Sequence, residues 1–570
     1  MNRGITTKLI VAIIALASCF ASLCVLREDW LFTNPYILPW FDPFVYLGFF
    51  LRYPEYVKAY PGYYPGERLS VIIPGYLIFK AFEPSIASVV IRTLLWFGSC
   101  GALLLSTSII CGWRAGLLAT LLLGLHPTFL GAAGWDYIDG FANCYHFAAW
   151  AILSIIIAGR RSNGLYATFG VTLALMFLSS TFMAVFIAPL IAVLTVATYS
   201  GSVKAAFRSW MWILIGSVAV ILAVTLINVC AGGPAFIFAS QYNAMRQLLS
   251  GQIPATDPSA WQPILWNAPW AALPLVMALF GAFKLPSALM SLRNLGSLDA
   301  VSRTRAILPA LALYQMMVYG FLQATSFTAL SFFCYSSMLV PLCFLGLASL
   351  ISEFSASFSR RAFIGLSLFA AFCSLLTLHP KVGKLILDCY SVGYYKTFTI
   401  IPVVGFCGAL LAFSSIQSDL KKGLGALALF CIASATTFNT PQINHFWHER
   451  RTYGIRAIAE AVNHFQDSNR DGQLGMWMNT RDPKYGDNIF WASWIANHIR
   501  AGSFRSTDLP AFDPKTASRG SKVMVFTSEN NGNELVTKAL RDQGLSHTVV
   551  SQRRIVHGRI DFWMTLISLT

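Results

Sequence analysis

The chain has 570 residues, of which 56% are hydrophobic and 12% charged, with a formal net charge of +16 and a mean hydropathy of +0.59. A soluble chain carries about 25% charged residues, so this composition excludes one large soluble enzyme, a disordered protein and a secreted disulfide scaffold. Apolar runs recur to about residue 438, and most of the protein is predicted to lie in a lipid bilayer.

The charges divide the chain in two. Residues 1–438 hold 25 Lys/Arg and 13 Asp/Glu, and residues 439–570 hold 16 and 12, the density of a soluble protein. The expected organisation is a transmembrane region over 1–438 and an α/β domain over 439–570. Basic residues of the first part sit in short connectors, so the positive-inside bias of membrane proteins explains the net charge and no nucleic-acid partner is expected. All 12 cysteines precede residue 439 and form no CxxC or Cys/His ligand pattern. They read as small core hydrophobes.

In chain order, Arg3 and Lys8 precede an apolar run over 9–26, which reads as a retained first span with a cytoplasmic N-terminus. Residues 27–85 are rich in Tyr, Trp and Pro, a composition for short helices lying at the membrane interface. Within them 69–82 is apolar but too short for an ordinary crossing. Spans follow at 86–111, 115–133, 140–158, 164–180, 181–199, 210–230, 269–285, 306–328, 330–352, 362–379, 398–417 and 423–438. Basic connectors alternate at Arg114, Arg160-Arg161, Lys204/Arg208, Arg293/Arg303/Arg305, Arg360-Arg361 and Lys421-Lys422. About thirteen spans put residues 439–570 outside the cytoplasm. There, 448–466, 484–500 and 532–543 read as helices, and 522–527 and 547–550 as strands.

The acids are informative because they are few. In this topology Asp299, Glu353 and Asp419 face the cytoplasm and ten others face outside, eight of them within the first 140 residues. Two aromatic, acidic loops carry those eight. The first contains Phe41-Asp42-Pro43-Phe44-Val45-Tyr46 and then Tyr64-Pro65-Gly66-Glu67-Arg68, which leads into the short helix at 69. The second contains Gly134-Trp135-Asp136-Tyr137-Ile138-Asp139-Gly140 at the entrance to a span.

An acid followed by a tyrosine in a long first loop, an interfacial helix introduced by a basic residue, and a second acid opening the fourth span resemble the GT-C superfamily of polytopic glycosyltransferases. The resemblance is to the bacterial branch with the aminoarabinose transferases and relatives of the protein O-mannosyltransferases. It covers residues 1–200 in order and spacing, 201–438 as a hydropathy pattern, and the C-terminal part by position only. Two departures stand out: Pro43 follows Asp42 where the family commonly has a second acid. The later tyrosine-to-proline motif survives as Tyr335-Ser-Ser-Met-Leu-Val-Pro341, with Cys334 in place of the usual basic residue. The resemblance implies a polyprenyl-phosphate-linked sugar donor, a lipid, glycan or protein acceptor, an external site and a bacterial inner membrane.

That chemistry suits these residues. A phosphate leaves as a stable anion, so no general acid is needed, whereas the acceptor hydroxyl needs a base such as Asp42. A cation such as Arg68 offsets charge growing on the leaving group, and direct displacement inverts the anomeric centre. Asp139 is either a second site acid or the N-cap of the following helix. Tyr46, Tyr64, Glu67 and Asp136 are expected around the substrate, with Glu67 also an electrostatic neighbour of Arg68. Arg68 itself reads either as a phosphate ligand or as a snorkelling interfacial residue. Metal dependence is left open by the sequence, and Asp136 with Asp139 is the pair that would hold a divalent cation. His126 and His146 read as structural. The competing function is a transporter or flippase for a lipid-linked glycan, which would place ionisable groups at mid-membrane depth.

Overall fold

In the computed structural model the apolar runs fold as helices close to where hydropathy puts them. The structure describes residues 3–32, 41–59, 61–134, 136–198, 203–249, 272–293, 298–324, 333–355, 360–379 and 381–382, and in the C-terminal part 474–478, 504–508, 522–527, 532–542, 544, 546–557 and 560–569. The expected spans 398–417 and 423–438 and the helices 448–466 and 484–500 lie outside the described residues.

Helix α1 (Arg3–Leu26) is followed by a short α2 (Glu28–Phe32), then by α3 (Phe41–Ala59), a 3-10 turn (Tyr64–Glu67) and α4 (Leu69–Ala81). Helix α3 is kinked at Arg52 (φ −146°, ψ 51°), two residues before Pro54, which cannot donate to the helix ladder. The 13 residues of α4 form the short apolar helix expected over 69–82. Gly75 lets the ring of Phe50 lie directly on it.

Next come α5 (Pro84–Ile110), α6 (Trp113–Gly124), α7 (Pro127–Gly134), α8 (Ile138–Ile157), α9 (Asn163–Ser179), α10 (Ala184–Thr198), α11 (Val203–Cys230) and α12 (Ala239–Leu249). The single span expected over 115–133 is α6 and α7, bent by 59°. The cause is Pro127, which disfavours helical geometry at His126 and lacks the N–H that would continue the ladder. Helices α13 (Ala272–Arg293) and α14 (Ala300–Ala324) follow. The span expected over 330–352 is also interrupted: α15 (Phe333–Ser336) gives way to a 3-10 turn at Ser337–Leu339 before α16 (Val340–Ser355), and α17 (Arg360–Leu378) follows.

Among the described residues seven helices are long and apolar enough to cross a membrane, or eight if the bent pair is one span. The protein is thus a multi-pass membrane protein by length and composition of its helices. Helix α8 is the axis of the bundle: 72% of its apolar window is buried, against 17–44% for the other six. It packs on α5, α9 and α10.

The described C-terminal elements are β1 (Leu474–Met478), β2 (Phe504–Asp508), β3 (Lys522–Thr527), α18 (Gly532–Asp542), β4 (His547–His557) and β5 (Ile560–Leu569). They make one mixed sheet in the order β2-β1-β3-β5-β4. Strand β1 is parallel to β2 and β3, and β5 is antiparallel to β3 and β4. The expected strand at 522–527 and helix at 532–543 are found, the strand at 547–550 runs on to His557, and β1, β2 and β5 are additional.

Candidate active site

Arg68 is the residue around which the two loops meet. It stands at the N-cap of α4, where its carbonyl accepts from Val71 N (3.0 Å) and Ile72 N (3.1 Å), so its backbone is fixed by the helix it introduces. Its side chain is 4% exposed. Nη1 donates to the Tyr46 hydroxyl at 2.8 Å, and the guanidinium carbon lies 4.6 Å from the ring centre of Tyr64 and 5.9 Å from that of Tyr46. Tyr46 in turn meets Tyr137 edge-on at 5.1 Å, which joins the first loop to the second. Burial works against the guanidinium charge, while the phenols of Tyr46, Tyr64, Tyr137 and Tyr335 favour it, holding its pKa above the ordinary arginine value. Among the described residues no carboxylate pairs with Arg68. A buried cation beside phenols, with no carboxylate against it among the described residues, is an arrangement that can receive an anion.

Asp136 has another role. Its carboxylate is 2.9 Å and 3.2 Å from Nη2 and Nε of Arg92, a two-pronged pair, and it accepts from Ser88 Oγ at 2.8 Å. Arg92 is fully buried. Its Nη1 donates to the carbonyls of Trp30 (3.3 Å) and Leu31 (3.1 Å) in α2, and Trp30 Nε1 donates to Leu130 O of α7 at 2.6 Å. Asp136 holds a positive φ of 53°, the left-handed conformation that Asp tolerates better than most residues. This hub ties α2, α5, α7 and the second loop together. Asp136, expected around the substrate, is found in a buried ion pair. With its charge already neutralised, the Asp136/Asp139 pair does not fit a divalent cation, and among the described residues no three His, Cys, Asp or Glu side chains converge to hold one.

Asp139 is fully buried in the first turn of α8. Its Oδ2 accepts from Ser337 Oγ at 2.8 Å, which brings the later Tyr335–Pro341 segment to the same end of the bundle as Arg68. The N-cap of α8 is Tyr137, so Asp139 is not the cap. Glu67 is buried, and its carboxylate accepts from Ser240 N (2.6 Å) and Gln241 N (3.3 Å). It closes the N-terminus of α12, where a carboxylate offsets unpaired N–H groups. Asp42 lies in the first turn of α3, four residues before Tyr46; its side chain is outside the described residues. His126 and His146 are buried against Phe344 and Phe186, and His146 Nε2 accepts from Trp150 Nε1 at 3.3 Å.

Arg92, Ser337 and Asn143 were not singled out by sequence reasoning. A lone arginine in an apolar span was the available signal for Arg92. Ser337 lies within the Tyr335–Pro341 motif, and nothing local marks Asn143.

No protein-family model matches the sequence, and no curated protein matches it in sequence. Solved structures do. The crystal structure of ArnT from Cupriavidus metallidurans bound to undecaprenyl phosphate aligns with a TM-score of 0.50 at 13% identity, over 99% of this chain and 98% of that one. The apo state of the same protein gives 0.49 at 14% identity over 100% and 98%. The oligosaccharyltransferase AglB from Archaeoglobus fulgidus, in complex with an inhibitory peptide and a dolichol-phosphate, gives 0.45 at 12% over 96% and 70%. At these identities the likeness is one of fold, and its weight rests on ArnT. Over nearly its whole length, the chain is similar in fold to ArnT from Cupriavidus metallidurans.

Proposed function

We propose that this protein is a membrane glycosyltransferase that moves a sugar from a polyprenyl-phosphate donor to an acceptor hydroxyl, with inversion, at the external face of a bacterial inner membrane. Arg68 is the observation that carries the reading: a buried guanidinium with one hydrogen bond to Tyr46, tyrosine rings around it and no described carboxylate beside it. A phosphate supplies the missing charge. That the ArnT structure is bound to undecaprenyl phosphate supports a lipid-phosphate ligand in a chain of the same fold.

The acceptor oxygen attacks the anomeric carbon, the bond from that carbon to the phosphate oxygen breaks, and the phosphate departs with the electron pair. Arg68 stabilises the charge gathering there, with the phenols of Tyr46 and Tyr64 beside it. The acceptor proton passes to the Asp42 carboxylate, and Asp139 is the second acid of the site. The C-terminal part, from about residue 439, is an external α/β domain in this reading.

Purified protein given undecaprenyl-phosphate-linked pentoses and hexoses and a hydroxyl acceptor tests the proposal. Inverted transfer with release of undecaprenyl phosphate is expected. Movement of the lipid across vesicles without transfer would replace this reading with the transporter.

A further inference from the structure

The break between α15 and α16 is held from two helices at once. Ser337 Oγ donates to Asp139 Oδ2 at 2.8 Å. One turn further along α8, Asn143 Nδ2 donates to the carbonyl of Ser337 at 3.3 Å. From the other side, α14 gives Gln315 Nε2 to Leu339 O at 3.4 Å and the hydroxyl of Tyr319 to Tyr335 O at 2.6 Å. Asp139, Asn143, Gln315, Tyr319 and Ser337 are all 0% exposed. Five residues of broken helix are therefore fixed by hydrogen bonds from buried side chains.

Packing alone does not account for this. Asn143 keeps its Oδ1 buried without a partner among the described residues, a cost that a leucine in the same space would avoid. What the amide gains is its hold on the break. That break carries Tyr335, whose carbonyl Tyr319 holds, and through Ser337 it orients Asp139.

We propose that Ser337 and Asn143 are positioning residues of the transfer site. They lock the Tyr335–Leu339 break onto α8, so that the Asp139 carboxylate and the Tyr335 phenol keep a fixed relation to Arg68. The inference rests on the glycosyltransferase reading. It adds that part of the geometry is set by a helix break that contributes no charge of its own.

The test uses the full-length protein in lipid nanodiscs, with undecaprenyl phosphate as the binding probe and undecaprenyl-phosphate-linked sugars as donors. Ser337→Ala should lower kcat about 10- to 100-fold, the cost of a small misplacement of reacting groups. The affinity for undecaprenyl phosphate and the donor KM should stay near wild type, because Arg68 is untouched. Ser337→Thr, which keeps the hydroxyl, should recover most of the turnover. Asn143→Leu should unfold at or above the wild-type temperature and yet lose kcat, and it decides the matter if Ser337→Ala does not fold. Wild-type kcat in Asn143→Leu, equal losses in the alanine and threonine variants, or a loss confined to phosphate affinity would each overturn the positioning role. A wild-type protein inert toward every donor would instead overturn the reading beneath it.

Discussion

Arg68 and Arg92 are both buried, and their neighbours assign them opposite tasks. Arg92 is paired, donating to Asp136 and to two carbonyls, whereas Arg68 donates to a phenol and stacks on rings. Removing one partner of a buried pair strands the other charge, so Arg92→Ala should destabilise the protein by about 3–5 kcal/mol. Thermal unfolding in detergent measures this as a large fall in Tm. Arg68→Ala should weaken undecaprenyl phosphate binding and slow transfer. Arg68→Lys should restore only part, since an ammonium lacks the planar fork. Wild-type affinity in the alanine variant would remove Arg68 from the site. For Asp42, the proposed base, Asp42→Asn keeps the shape and removes the basicity, so turnover should fall about 10²–10⁴-fold with folding unchanged. Near-normal transfer would shift attention to Asp139.

At the scale of elements, three helices are interrupted among the described residues, and one of the breaks meets Asp139. Pro127 bends α6 away from α7, the kink at Arg52 breaks α3, and the turn at Ser337–Leu339 separates α15 from α16. The sequence showed the acid clusters, the short α4 and the basic residue introducing it, because each signal lies within a few neighbouring residues. The Asp139–Ser337 bond spans 198 positions and the Arg92–Asp136 pair 44, and no local pattern encodes either. Strand β5 escaped for another reason. Met564, Thr565, Leu566 and Ile567 are all buried, so the period-two alternation that marks a half-exposed strand is missing from a strand paired on both sides. Element ends also carry a pH test. Asp299 accepts from Val301 N and Ser302 N and from Ser302 Oγ ahead of α14, and chiefly the Ser302 hydroxyl holds its carboxyl below the usual value. Because the folded pKa is lowered, the stabilisation is full above the unfolded carboxylate value and is lost as pH falls through the folded one. Asp299→Ala should cost about 1 kcal/mol at neutral pH, and the difference in Tm should shrink in acid.

For the molecule as a whole, side-chain contacts sort the helix ends. Arg305 Nε donates to Ile110 O at 2.6 Å at the end of α5, and Arg303 Nη1 to Val196 O at 3.0 Å near the end of α10, while Arg68 and Asp139 sit where α4 and α8 begin. Cations on helix C-termini favour the dipole, and gathering them at the end away from the site agrees with a cytoplasmic side there. A reporter active only outside the cytoplasm, fused after Thr570, should therefore be active. Activity of a cytoplasm-only reporter at that position would invert the topology and the site with it.

The Arg92–Asp136 hub also bears on how the chain is made. Arg92 stands eight residues, about 12 Å, inside α5, and its counter-ion emerges 44 residues later. At roughly 5–20 residues per second of synthesis, the guanidinium waits about 2–9 seconds before Asp136 exists to meet it. In that interval the backbone carbonyls of Trp30 and Leu31, already synthesised, are its native partners on hand. The hub is therefore completed only once the second loop has been made, so the packing of α5 and the setting of that loop belong to one late step.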